Sequence, residues 1–146
     1  MRTRYYRLAL IFAMLFITGT VLCQSAPGNW ETYYIDERVQ IDICPAQRTD
    51  SANGIFNNYY LLRVTNTTDS KVLLTFRKEL EYNREAAVTS EKTALFELAP
   101  HQSLEGSSAP ETDKSLRIFI NQPGGMNKNV LTNFALVAVQ SSEIKE

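Results

Sequence analysis

The chain has 146 residues, with 15 basic and 16 acidic side chains and a formal charge of −1. With more acidic than basic side chains, an excess that grows once the basic N-terminal segment is set aside, the surface has no reason to seek a phosphate backbone, which sets nucleic-acid binding aside. One histidine and two cysteines exclude a multi-histidine metal centre and a disulfide-stapled scaffold, so the fold must rest on a packed apolar core.

The N-terminus carries Arg2, Arg4 and Arg7 and then an apolar run over residues 8–17, which loosens at Thr18, Gly19 and Thr20. This is the pattern of a secretory signal peptide. The run falls well short of the ~20 residues of a membrane-spanning helix, and no basic cluster follows to stop transfer. Val21 and Cys23 suit a cut before Gln24, with a cut after Ser25 as the alternative. Lipid attachment at Cys23 is disfavoured because Leu22, not a small residue, precedes it. Removing 23 residues leaves 123, with 12 basic side chains against 16 acidic ones and a charge of −4. The expected product is an exported domain over residues 24–146, periplasmic or secreted, with no membrane-spanning segment.

Past the signal, side-chain periodicity is that of strands. Trp30, Tyr33 and Tyr34 precede the first clear one, in which Val39, Ile41 and Ile43 alternate with Gln40 and Asp42 until Pro45 removes a backbone donor and ends it. Residues 46–54 then read as a polar loop. Residues 59–65 are rich in aromatic and branched side chains, and residues 66–70 supply short polar ones suited to a tight reversal. The next strand, 71–82, sends Val72, Leu74, Phe76, Leu80 and Tyr82 one way and Thr75, Arg77, Glu79 and Glu81 the other, with Lys78 as an inward exception. Together the two segments predict an antiparallel hairpin.

Ala94, Phe96 and Leu98 alternate with Leu95 and Glu97 up to Pro100, and a short strand at Ser103 and Leu104 is closed by Gly106. Residues 107–114 have loop composition. Leu116, Ile118 and Ile120 form another alternating run that ends at Pro123-Gly124-Gly125. A last strand over 132–139 precedes a polar tail expected to fray. Six or seven evenly spaced strands without crossover helices predict an all-β, two-sheet antiparallel sandwich of immunoglobulin-like type, with a small closed barrel as the competitor.

The segments Leu61-Leu62-Arg63-Val64-Thr65-Asn66, Leu95-Phe96-Glu97-Leu98-Ala99-Pro100 and Leu116-Arg117-Ile118-Phe119-Ile120, within residues 61–139, resemble small exported bacterial immunoglobulin-like β-sandwich proteins of unassigned function. Such sandwiches often carry Gly after the Pro, where this chain has His101. The resemblance implies the fold and transfers no functional residue.

No catalytic, cofactor-binding or metal-binding set is expected. His101 stands alone after Pro100, and no Gly-x-Ser-x-Gly elbow marks a nucleophile. Glu79 and Glu81 share a strand face about 7 Å apart, but they alternate with Arg77 as surface charges do. With Cys23 removed, Cys44 has no intrachain partner and is expected as a buried thiol. Gly124-Gly125 lacks the Lys and Ser/Thr of a phosphate loop. Asn66-Thr67-Thr68 is formally a glycosylation sequon and also good turn chemistry.

Aromatic side chains carry the functional promise. Trp30, Tyr33, Tyr34, Tyr59 and Tyr60 exceed what two strands ordinarily hide and are the candidate contacts for a ligand or partner. Alternation should place one of each adjacent tyrosine pair in the core. Two functions follow: a non-catalytic protein-interaction module of the cell envelope or extracellular space, working through a strand edge or sandwich-end loops, or a carbohydrate-binding module working through an exposed aromatic platform.

Overall fold

The structure, a computed structural model, describes residues 29–145. The signal segment, its cut site and Cys23 lie outside the described residues. Within them the protein is all-β, with nine strands in two antiparallel sheets.

The first sheet begins with β1 (Glu31–Ile35), β2 (Val39–Asp50) and β3 (Ile55–Asn66), in that spatial order. The second centres on β4 (Val72–Tyr82). On one flank of β4 lie the short β5 (Val88–Thr89) and then β6 (Ala94–Leu98), end to end. The chain returns to the first sheet, where β7 (Ser103–Glu105) and β8 (Arg117–Asn121) likewise share the outer flank of β3. It finishes with β9 (Leu131–Glu143) on the other flank of β4. The sheets share one core. Val39, Ile41, Leu62 and Val64 meet Val72, Leu74, Phe76, Phe96 and Leu98, with Leu116 and Ile118 filling the side. Two separate sheets are formed, so the barrel alternative is not.

The alternation predicted for β4 holds, and Lys78 points inward. Its Nζ donates to the carbonyls of Lys114 and Arg117, both at 2.9 Å. A lysine is tolerated there because its stem packs while its ammonium reaches backbone acceptors at the sandwich margin. β6 follows a strict buried–exposed alternation, and the expected short strand appears as β7. The two strands beyond the expected seven are the brief β1 and β5.

Four expectations are corrected. Residues 59–65 and 71–82 do not form a hairpin: β3 and β4 lie in different sheets, and residues 67–71 cross between them. Asn66 decides this. It is fully buried, and its side-chain amide donates to the carbonyls of Ser70 (2.7 Å), Leu98 (3.2 Å) and Ala99 (2.9 Å). Its Oδ1 accepts from the Thr68 amide and hydroxyl. The short polar side chains thus serve an arch between layers, not a turn within one.

Residues 46–54 are not a loop, and Pro45 does not end its strand. β2 continues to Asp50, pairing Pro45 with Tyr60 and Asp50 with Ile55. β1 pairs β2 only as far as Ile43, so that flank of β2 is open at Pro45, where a missing donor is tolerated. The true reversal is a 3-10 turn, Ser51–Asn53, capped by the Asp50 carboxylate and closed by Gly54 at φ 65°.

The segment before Val39 is itself a strand, β1, with a bulge at Tyr33 between Thr32 and Tyr34. Nor is the tail free through Ser142: β9 runs to Glu143, which pairs with Val72, and the Ile144 amide donates to the Lys71 carbonyl. Backbone pairing outweighs the polar composition that suggested fraying.

Candidate functional site

The five aromatic candidates are dispersed over different surfaces. Tyr34 and Tyr60 point into the core. The Tyr34 hydroxyl donates to Asp36 at 3.1 Å. Tyr60 lies 5.5 Å from the Phe134 ring. Tyr59 faces the opposite side of β3, only 8% exposed, edge-on to Phe119. Trp30 is half-buried on that same outer side, with the Arg63 guanidinium 4.7 Å from its ring centre. Strict alternation would have turned Tyr33 away from Tyr34. The bulge instead lets Tyr33 stack on Phe134 at 5.4 Å and accept from the Leu136 amide at 3.2 Å. No single flat platform results from these five side chains.

The outer face of the first sheet holds a second buried layer that periodicity did not reveal. Asp42, Cys44, Tyr59 and Leu61 are all buried there. Asp42 accepts from Arg63 Nη2 at 2.8 Å and Nε at 3.0 Å, from Gln40 at 2.7 Å and from Thr32 at 3.1 Å. Burial pushes the Asp42 carboxyl up, but the hydrogen bonds from Gln40, Arg63 and Thr32, with the Arg63 charge, outweigh it and hold the group below its ordinary value. Arg63 also reaches Glu105 at 3.6 Å. The adjacent apolar pair Leu61-Leu62, breaking alternation, was the one sequence signal of this layer.

Cys44, His101, Glu79 and Glu81 each meet a different partner among the described residues. Burial raises the Cys44 thiol pKa above its ordinary value, which keeps it protonated. His101 is exposed, with Nε2 2.7 Å from Asp69 Oδ1. It adopts φ 56°, the conformation glycine takes most easily. Glu79 accepts from Thr89 and Glu81 from Thr132, so each carboxylate ties its strand to a neighbour. Among the described residues no three His, Cys, Asp or Glu side chains group as a metal site. A shallow pocket of about 370 Å³ is lined by Pro45, Ala46, Gln47, Asn58, Tyr59 and Ile120, without a carboxylate, imidazole or thiol.

The strand edges differ from one another. β1 and β9, the edges of the two sheets on one side, are tied across the gap. Tyr33 takes the Leu136 amide, and Ser141 donates to Asp36 at 2.9 Å. On the other side, β8 has its Arg117 carbonyl bonded by Lys78 and its Phe119 carbonyl bonded by the Tyr82 hydroxyl, both at 2.9 Å. β7 is three residues long, and β5 is two. Just after β5, Ser90 returns to β4: its amide donates to the Lys78 carbonyl, and its hydroxyl accepts from the Lys78 amide. β6 is different. It pairs only with β4, and no hydrogen bond from elsewhere among the described residues reaches the backbone of residues 94–97 on the open side. Leu95, 59% exposed, and exposed Glu97 stand on its outward face.

No family model, curated protein or solved structure matches this chain. Among the described residues no helix is long and apolar enough to cross a membrane.

Proposed function

We propose that the chain is an exported, non-catalytic protein-interaction module with an immunoglobulin-like arrangement of its sheets, and that it holds its partner along the outer flank of β6. The carrying observation is the contrast between edges: side chains bridge or bond β1, β8 and β9, whereas residues 94–97 of β6 present an open flank beside an exposed leucine. An unpaired strand edge must be either blunted or used, because its free donors and acceptors invite another chain. The carbohydrate alternative draws on less, since Tyr34, Tyr59 and Tyr60 are packed and Trp30 already stacks with Arg63.

Export is supported by the charged and then apolar N-terminal segment. The test is recovery of the protein from its native host, with intact mass, cell fractionation and affinity capture. A chain starting at Gln24 or Ala26 and a specific copurifying protein support the proposal. Retention of the N-terminal segment in the cytoplasm, or specific retention on polysaccharide with no protein partner, would sink it.

A further inference from the structure

β6 offers more than an open edge, because its outward side chains restrict what can pair with it. Leu95 lies opposite Thr75 of β4 and Glu97 opposite Leu73. Glu97 makes no ion pair among the described residues. An incoming strand would place its own side chains directly beside these two, two residues apart on one face. Opposite charges and apolar pairs stabilise such cross-strand neighbours, and like charges oppose them.

A second copy of the chain fits this edge poorly. Two β6 strands related by a two-fold axis run antiparallel, and keeping core faces together allows only registers that pair outward residues with outward residues. In those registers Glu97 meets Glu97 or Leu95 of the other copy's strand, and residues 94–98 contain no cation. Lys92 lies outside the strand, in the bend that precedes it. Self-pairing therefore leaves both carboxylates uncompensated, a form of edge protection that still admits a basic partner.

We infer that the flank of β6 accepts an extended segment of another protein that sets a Lys or Arg opposite Glu97 and an apolar residue opposite Leu95. This rests on the protein-interaction reading above and names its partner chemistry. Main-chain bonds supply the affinity, and the Leu95–Glu97 pair selects the sequence.

The test uses an acetylated, amidated heptapeptide in which threonines alternate with lysine, valine and lysine. Its binding to the exported protein is followed by titration and by amide hydrogen exchange. Protection should rise at residues 94–98. N-methylation of one alternate set of peptide amides should abolish binding, and methylation of the other set should be tolerated. Glu97→Lys should weaken the lysine peptide by about threefold or more and favour its glutamate counterpart. Protection confined to another surface, or indifference to both methylation patterns, overturns the inference. So does a dimer that protects β6 without peptide.

The two proposals fail separately. If the peptide does not bind at β6 but a native partner is captured equally by wild type and Leu95→Lys, the β6 site and its partner chemistry are both wrong, and only the interaction module stands. If no partner is captured at all, the broader proposal falls.

Discussion

Asn66 donates its side-chain amide to the carbonyl of Ala99 at 2.9 Å, joining positions 33 residues apart. The same amide serves Ser70 and Leu98, so one buried side chain fastens the β3–β4 crossover to the end of β6. It thereby helps fix the strand whose far flank is the proposed binding edge.

Asn66→Ala should remove a donor from the Ser70, Leu98 and Ala99 carbonyls and the acceptor of the Thr68 amide. Ser70 keeps the Thr68 hydroxyl and Ala99 keeps the Gln102 amide, so the cost should be about 1–3 kcal/mol. Urea denaturation measures this directly. The folded domain should also resist glycosylation at the Asn66-Thr67-Thr68 sequon, because the acceptor amide is fully buried. Treating the purified, folded protein with oligosaccharyltransferase should add no glycan there, and denatured protein should be modified.

Asp42 governs part of the acid limb. Its folded pKa is lowered, so the unfolded chain binds more protons than the folded one as pH falls through that range. The stabilisation is fully present above the ordinary carboxylate pKa near ~4 and is lost as pH drops through the folded value. Asp42→Asn should cost about 1.5–3 kcal/mol at pH 7 and should flatten stability against pH below about 4. An equal acid slope in wild type and variant would contradict this.

Lys78 acts in the opposite pH range. Burial, aided by the Arg117 charge and opposed by Asp113, lowers its pKa. Between that value and the ordinary lysine value near ~10.4, the unfolded chain holds the extra proton, so this group's contribution rises with pH. The stability of wild type minus that of Lys78→Met should therefore increase as pH rises toward about 10. Tyr34 and Tyr82, both raised by burial, pull stability the other way but act in both proteins, so the difference isolates Lys78.

Ala138 sits in the β9 bulge opposite Phe76 with φ 51°, a left-handed conformation that costs an alanine about 1–2 kcal/mol. Ala138→Gly removes that strain but adds unfolded-state freedom worth roughly 0.5–1 kcal/mol. The variant should be more stable by about 0.5 kcal/mol. Ala135→Gly, on the same strand but away from the bulge, should be less stable by a similar amount. Thermal melts of the pair separate the two effects.

The residues that alternate and end at a clear break were legible in advance. Val72 to Tyr82, including inward Lys78, and Ala94 to Leu98 declared their faces because a half-buried strand has period two. What was misread turned on partners that local pattern does not encode. Pro45 reads as a terminator until β1 is known to stop at Ile43. Residues 66–70 read as a hairpin turn until Asn66 is seen to bond across layers. Tyr33 and Tyr34 read as opposed until the bulge is placed.

The amino-acid sequence by itself determined the all-β character of the described residues and the inward face of their long central strand. Periodicity, composition and motif spacing are local properties, and local properties suffice for those conclusions. Only the tertiary structure decided which strands share a sheet, that Asp42 and Arg63 are paired on an outer buried layer, and that Gly106 must lack a side chain because a Cβ would collide with the Leu116 carbonyl. It also decided which edges are covered. Lys78 and Tyr82 reach β8 across the sandwich and Tyr33 reaches β9, leaving β6 open. Each of these depends on contacts between residues distant in sequence, and such contacts exist only once both sheets have packed.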